Sequence, residues 1–262
     1  MHFNFSKYQG TGNDFVIINN INQQFPKQNI SIIKQLCDRK FGIGADGLML
    51  LEQTEGYDFK MVYFNADGNE STMCGNGGRC ISAFAHTQGI SKNKGVFMAI
   101  DGEHYYEIEQ DTVRLNMIDV AEIKHDIENG NENFILFTGS PHYVSFKQNI
   151  AALDILPSAH AIRYNTVFAK EGINVNFVET QMGKIKMRTY ERGVEDETLS
   201  CGTGTVAVAL CFAHQNNLEK GKIEIETPGG NLAVSFQLKN NVYSDIWLEG
   251  PAKLVFTGSI DI

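Results

Sequence analysis

The feature that most constrains this chain is a pattern that it carries twice. Lys60-Met61-Val62-Tyr63-Phe64-Asn65 leads to Asn69-Glu70-Ser71-Thr72-Met73-Cys74-Gly75-Asn76-Gly77 and an apolar helical run. Lys186-Met187-Arg188-Thr189-Tyr190-Glu191 leads to Asp196-Glu197-Thr198-Leu199-Ser200-Cys201-Gly202-Thr203-Gly204 and a second such run. Cys201 follows Cys74 by 127 positions (201 − 74) and Lys186 follows Lys60 by 126 (186 − 60), so the copies differ by one inserted residue. Each reads as strand, polar loop, Cys-Gly-x-Gly, helix. Duplication is the economical account, and it predicts two similar domains of mixed α/β type whose equivalent loops meet at a cleft, where small-molecule sites tend to lie.

Two readings of the repeated cysteine follow. A thiol at the start of a helix meets the positive end of the helix dipole and unpaired N–H groups, which favour its thiolate and lower a pKa from about 8.5. The flanking glycines let the backbone approach a ligand, so the same N–H groups can hold a carboxylate. Two such sites facing each other would place a sulfur on each side of the adjacent carbon. One thiolate would remove the α-hydrogen and the opposite thiol would return a proton to the other face, inverting the centre without oxidation or group transfer. In the structural reading, Cys-Gly-x-Gly is a tight turn with cysteine packed as a small hydrophobe, and a duplicated fold keeps a duplicated turn. Cys80 and Cys211, on apolar helical faces, and Cys37, at a helix end, read as core.

Composition narrows the function classes. The 262 residues carry 22 Lys and Arg against 31 Asp and Glu, a formal charge of −9, which argues against a reader of nucleic-acid backbones. No apolar run approaches the roughly 18 residues of a membrane span, and Met1-His2-Phe3-Asn4 opens no signal peptide, so a cytoplasmic protein without membrane association is expected. Five widely spaced cysteines read mostly as free thiols. With no His-Glu-x-x-His and no closely spaced cysteine pair, no metal is expected.

Runs rich in β-branched and aromatic residues predict strands at Phe15–Ile18, Leu48–Leu51, Phe59–Phe64, Phe134–Thr138, Tyr143–Phe146, Val175–Val178 and Ile185–Tyr190, and the alternation after Lys222 predicts a strand-rich end. Ile30–Cys37 reads as a helix with Ile32, Ile33 and Leu36 on one face. The helix after Cys74 reads as half-buried and the one after Cys201 as buried. A domain boundary is expected near Met117–Val120, and the acidic stretch Glu122–Glu132 reads as a solvated connecting loop.

Eight ordered motifs resemble the diaminopimelate epimerases, amino-acid epimerases that use no pyridoxal phosphate. They are Gly10-Thr11-Gly12-Asn13-Asp14-Phe15, Phe41-Gly42-Ile43-Gly44-Ala45-Asp46-Gly47, Phe64-Asn65-Ala66-Asp67-Gly68, Cys74-Gly75-Asn76-Gly77, Pro141-His142, Asn174-Val175-Asn176-Phe177, Tyr190-Glu191-Arg192-Gly193 and Cys201-Gly202-Thr203-Gly204. The resemblance implies an α/β (α+β type) chain of two pseudo-symmetric domains, each a mixed β-sheet or barrel wrapped around a central helix, with the active site in the interdomain cleft. It implies that residues 1–117 with 251–262 form the half carrying Cys74, the last strand (Leu254–Ile262) returning to it, and that 118–250 form the half carrying Cys201.

The implied activity is inversion of LL-2,6-diaminopimelate to the meso isomer, in lysine and peptidoglycan precursor synthesis, by a cofactor-free homodimer. Cys74 and Cys201 would be the acid/base pair. Gly75, Asn76, Gly202 and Thr203 would hold the α-carboxylate, and Asn13, Asn65, Asn174, Glu191 and Arg192 would line the substrate site. His142 and Glu191 resemble residues that tune the two sulfurs; taken singly, they read as a turn histidine and a surface ion pair of Glu191 with Arg192. Ser140 stands where the family usually has Asn and Gly47 where it often has Gln, so two distal contacts are expected to be lost or replaced by water, and the Arg192–Cys201 loop is one residue longer than in many relatives. Rival readings are a racemase of the proline racemase type with a different distal pocket, a non-catalytic binding protein that keeps the fold, and a thiol hydrolase, which would leave the second Cys-Gly-x-Gly without a task.

Overall fold

The structure, a computed structural model, describes residues 1–128 and 131–262. It divides into two compact units, Met1–Leu115 with Gly250–Ile262, and Asn116–Glu249.

The first unit opens with β1 (His2–Gly10) and β2 (Asn13–Asn19), an antiparallel pair. Helix α1 (Ile30–Cys37) is capped by Asn29, whose side chain accepts from the N–H of Ile32, and it crosses over to β3 (Gly47–Glu52), parallel to β2. β4 (Phe59–Asn65) lies antiparallel to β3, and a short β5 (Glu70–Ser71) leads into α2 (Gly75–Thr87). That helix crosses over to β6 (Lys94–Ala99), parallel to β4, followed by β7 (Gly102–Glu109) and β8 (Thr112–Asn116).

β2 and β3 are buried on both faces, which is why they read as continuous apolar runs rather than alternating ones. One face packs Val16, Ile18, Leu48, Leu50, Val62 and Phe64 with Ile33 and Leu36 of α1. On the other, Phe15, Met49 and Met61 meet the first turn of α2 at Gly77. The helix after Cys74 is not half-buried as its sequence predicts. All of Gly75 to Ser82 is buried, Arg79 included, because β1, β2, β3 and β7 all pack against the helix.

The second unit repeats this connectivity. β9 (Ile123–Glu128), β10 (Asn131–Phe137) and β11 (Pro141–Phe146) form an antiparallel run, then α3 (Ile155–Arg163) crosses to β12 (Asn174–Gln181), parallel to β11. β13 (Lys184–Glu191) and β14 (Asp196–Thr198) follow, then α4 (Gly202–Gln215) crosses to β15 (Lys220–Thr227), parallel to β13. β16 (Gly230–Lys239) and β17 (Val242–Pro251) close the unit, and β18 (Lys253–Asp261) pairs with β1 in the first.

The acidic stretch from Glu122 is therefore not a loop. From Ile123 on, its described part lies in β9 and β10, whose ladder pairs Ile123 with Leu136, while residues 129 and 130 lie outside the described residues. No helix of the described residues is long and apolar enough to cross a membrane.

Candidate active site

In each unit a cysteine holds the N-cap position of the buried helix, in extended backbone conformation: Cys74 before α2 and Cys201 before α4. Ser, Thr, Asp or Asn usually stand there and satisfy the first-turn N–H groups. Sulfur is a weaker acceptor, so these helix starts keep donor capacity for a ligand.

Around Cys74 the polar groups form one chain. Its Sγ lies 3.6 Å from Oδ1 of Asn13, an acceptor that also takes a bond from Nδ2 of Asn76 at 3.3 Å. Asn13 donates from Nδ2 to Asp46, and Asp46 is in turn held by Arg39. The guanidinium of Arg79, fully buried, donates to Oδ1 of Asn76 at 3.0 Å, to Gly75 O and Thr11 Oγ1 at 3.3 Å, and to Pro251 O at 3.4 Å. Sequence reasoning missed both Arg79 and Asp46. Asn65, at the end of β4, is exposed and joins the turn to Asn69 through its main chain.

Around Cys201 the chemistry differs. Its Sγ lies 3.5 Å from the Thr203 hydroxyl, which lies 2.9 Å from Nε2 of His142; Nδ1 of that ring lies 3.1 Å from Nδ2 of Asn176. Burial pushes the Cys201 thiol well above its ordinary pKa, and the neighbouring Glu191 carboxylate raises it further against the pull of Thr203 and the Gly204 N–H. Cys201 thus rests as a thiol. Burial, helped by the charge of Arg192, holds His142 down at about 3, so its imidazole is neutral. Burial also raises Cys37 and Cys80 to about 12 and Cys211 well above 9, as expected of packing thiols.

The remaining candidates gather at the start of β12. Asn174 donates to Ser140 Oγ at 2.8 Å and to Pro141 O at 2.9 Å, and its Oδ1 accepts from the Arg192 N–H at 2.9 Å. The Arg192 guanidinium reaches Glu171 O at 3.0 Å and Ser140 Oγ at 3.5 Å, so Ser140 takes a place in the Asn174 and Arg192 cluster. Gly47 has a steric cause. A β-carbon there would stand 2.5 Å from Cε2 of Tyr63, leaving no room for Gln.

The unit registers correspond, with Phe15 opposite Gly47 and Met49 opposite Tyr63 in one, and His142 opposite Asn174 and Asn176 opposite Thr189 in the other. Polar residues in the second unit thus replace apolar or aromatic ones in the first. That swap is the sequence signal that could have marked Asn176 and Thr189.

The sequence model of the family described as Diaminopimelate epimerase matches residues 5–123 and 134–255. The chain belongs to the diaminopimelate epimerase family. It is 51% identical over 257 residues to the diaminopimelate epimerase of Flavobacterium psychrophilum, covering 97% of this chain and 98% of that one. It is 41% identical over 259 residues to that of Chlorobaculum tepidum, covering 97% and 99%. Among solved structures, a PhzF-family phenazine biosynthesis protein of Bacillus anthracis superposes with a TM-score of 0.77 at 14% identity over the whole of both chains. A hydroxyproline epimerase from Agrobacterium vitis gives 0.68 at 12%, covering 99% of this chain and 92% of that one. These two fix the fold alone, mixed α/β and strand-rich, with four α-helices among the described residues.

Proposed function

We propose that this member of the family inverts one stereocentre of 2,6-diaminopimelate, converting the LL to the meso isomer in lysine and peptidoglycan precursor synthesis, with Cys74 and Cys201 as the acid/base pair. The observation that carries the reading is a cysteine at the N-cap of a buried helix in both units of a chain that matches the family over its length. In this reading the halves, 1–117 with 251–262 and 118–250, are pseudo-symmetric, each sheet wrapped around its helix.

The N–H groups of Gly75, Asn76, Gly202 and Thr203 would hold the α-carboxylate and stabilise charge moving into it as the α-hydrogen leaves. Asn13, Asn65, Asn174, Glu191 and Arg192 orient the ligand, Arg192 being the group suited to the distal carboxylate. Because Cys201 rests protonated beside Glu191, it is set to serve as the acid in the pass that uses Cys74 as base. No residue in this scheme needs a cofactor. The family resemblance further supports a cytoplasmic homodimer. Incubation with LL-2,6-diaminopimelate and, separately, L-proline tests the reading: meso product from the first and no racemisation of the second is expected, and the reverse would assign the chain to the proline racemase type.

A further inference from the structure

Asn176 lies fully buried on β12, outside every set of residues assigned above to substrate or proton transfer. Its amide can be oriented without ambiguity. One side-chain atom lies 3.0 Å from Tyr143 O, an obligate acceptor, so that atom is the nitrogen. The other therefore is Oδ1, and the Thr189 hydroxyl donates to it at 3.0 Å. The second hydrogen of the same nitrogen faces Nδ1 of His142 at 3.1 Å, so Nδ1 must offer its lone pair. A neutral imidazole that accepts at Nδ1 carries its proton on Nε2. That proton points at the Thr203 hydroxyl 2.9 Å away, which must accept it and turn its own hydrogen elsewhere; the sulfur of Cys201 lies 3.5 Å from the same oxygen.

We propose that Asn176, locked by Thr189, is a positioning residue that fixes the tautomer of His142 and so aims the Thr203 hydroxyl hydrogen at the sulfur of Cys201. The proposal rests on the reading of Cys201 as one of the two acid/base groups. Its use is preorganisation: when Cys201 gives its proton to the substrate, the thiolate left behind meets a donor already pointed at it. The structure makes room for this chain at one point. A β-carbon on Gly204 would stand 2.6 Å from Oδ1 of Asn176 and 3.3 Å from Cε1 of His142. The first unit has no such chain, because Phe15, Met49 and Tyr63 hold the corresponding register positions. The neutrality of His142 follows from its burial and from the charge of Arg192.

The test is nitrogen NMR of the reduced full-length protein with ¹⁵N-labelled histidine, the His142 ring signals being assigned by their loss in His142→Phe. The expected result is a single Nε2–H tautomer that stays unchanged from about pH 5 to pH 9. An Nδ1–H ring or an imidazolium in the wild-type protein overturns the proposal, and this arm needs no altered residue at position 176. In Asn176→Ala the Nδ1–H form should appear and kcat fall about tenfold or more, and Thr203→Ser should retain turnover that Thr203→Val loses. An Asn176→Ala protein with a shifted tautomer and unchanged kcat also overturns it. Failure of the catalytic reading is seen separately, as wild-type turnover in Cys201→Ala, with the tautomer signals intact.

Discussion

Gly47 packs against Tyr63 so closely that any β-carbon at position 47 would stand 2.5 Å from Cε2 of the ring and 2.6 Å from the carbonyl oxygen of Phe64. One obstacle is backbone and cannot swing away. Gly47→Ala should cost about 1–3 kcal/mol by overpacking. Gly47→Gln, which restores the residue often found in the family, should cost at least as much. Urea unfolding checks both, and an unchanged midpoint in either would contradict the packing argument.

Arg79 is a buried cation with no carboxylate partner among the described residues, and its guanidinium donates to four oxygens. Arg79→Met fills much of the space but removes all four of these hydrogen bonds, each worth about 1 kcal/mol net. Relaxation will recover part of this, so a net loss of about 3 kcal/mol is expected by denaturant unfolding. Because Asn76 loses the bond that orients its amide, turnover should fall as well. A variant as stable as the wild type would refute the role given to Arg79.

Asp14 is one of the carboxylates that carry stability lost in acid. Burial alone would raise its pKa, but hydrogen bonds from Arg39 and Lys7, together with their charges, hold it at about 2. A carboxylate depressed in the folded state is protonated first in the unfolded chain, so acid favours unfolding. The stabilisation is fully present above the unfolded value near 4 and is lost as pH falls toward 2. It amounts to at most about 2 kcal/mol. Asp14→Asn should be less stable at neutral pH and lose less between about pH 4 and pH 2; unfolding curves at neutral pH, about pH 4 and about pH 2 measure both.

Glu195 ties down the loop that carries Arg192. Burial would raise its pKa, but Arg163, the Gly193 N–H, Tyr164 and Tyr190 hold it at about 2, with Arg163 Nη2 at 2.8 Å. Glu195→Gln keeps the shape and removes the charge. Since Arg192 is proposed to orient the ligand rather than to move protons, KM for diaminopimelate should rise by about tenfold, equivalent to about 1.4 kcal/mol, with little change in kcat. A fall in kcat with constant KM would place the loop in the chemistry instead.

Much of the fold was legible because buried strands announce themselves: Leu48–Leu51 lies within β3 and Ile185–Tyr190 within β13. The helix at Ile30–Cys37 was equally plain, while its counterpart α3 was not, since Pro157 stands in its first turn and only Ile155 and Ala159 are buried. β1 hides behind Ser6 and Lys7, polar residues that the fold buries, Lys7 through its pair with Asp14 and a bond to Gly44 O. In the site, the two cysteines stood out because the pattern around them recurs. Arg79 and Asn176 did not, because each acts through another side chain, and such relationships are set by tertiary register rather than by spacing along the chain.

The most direct test of the account is exchange of the α-hydrogen in deuterated water, followed with stereochemical analysis, for wild-type, Cys74→Ala and Cys201→Ala proteins given LL- and meso-diaminopimelate in turn. The wild type should incorporate deuterium as it interconverts the isomers, and each alanine variant, folded as judged by circular dichroism, should lose stereoinversion by about 10²-fold or more. Wild-type turnover in either variant would contradict a mechanism that needs a sulfur on both sides of one carbon.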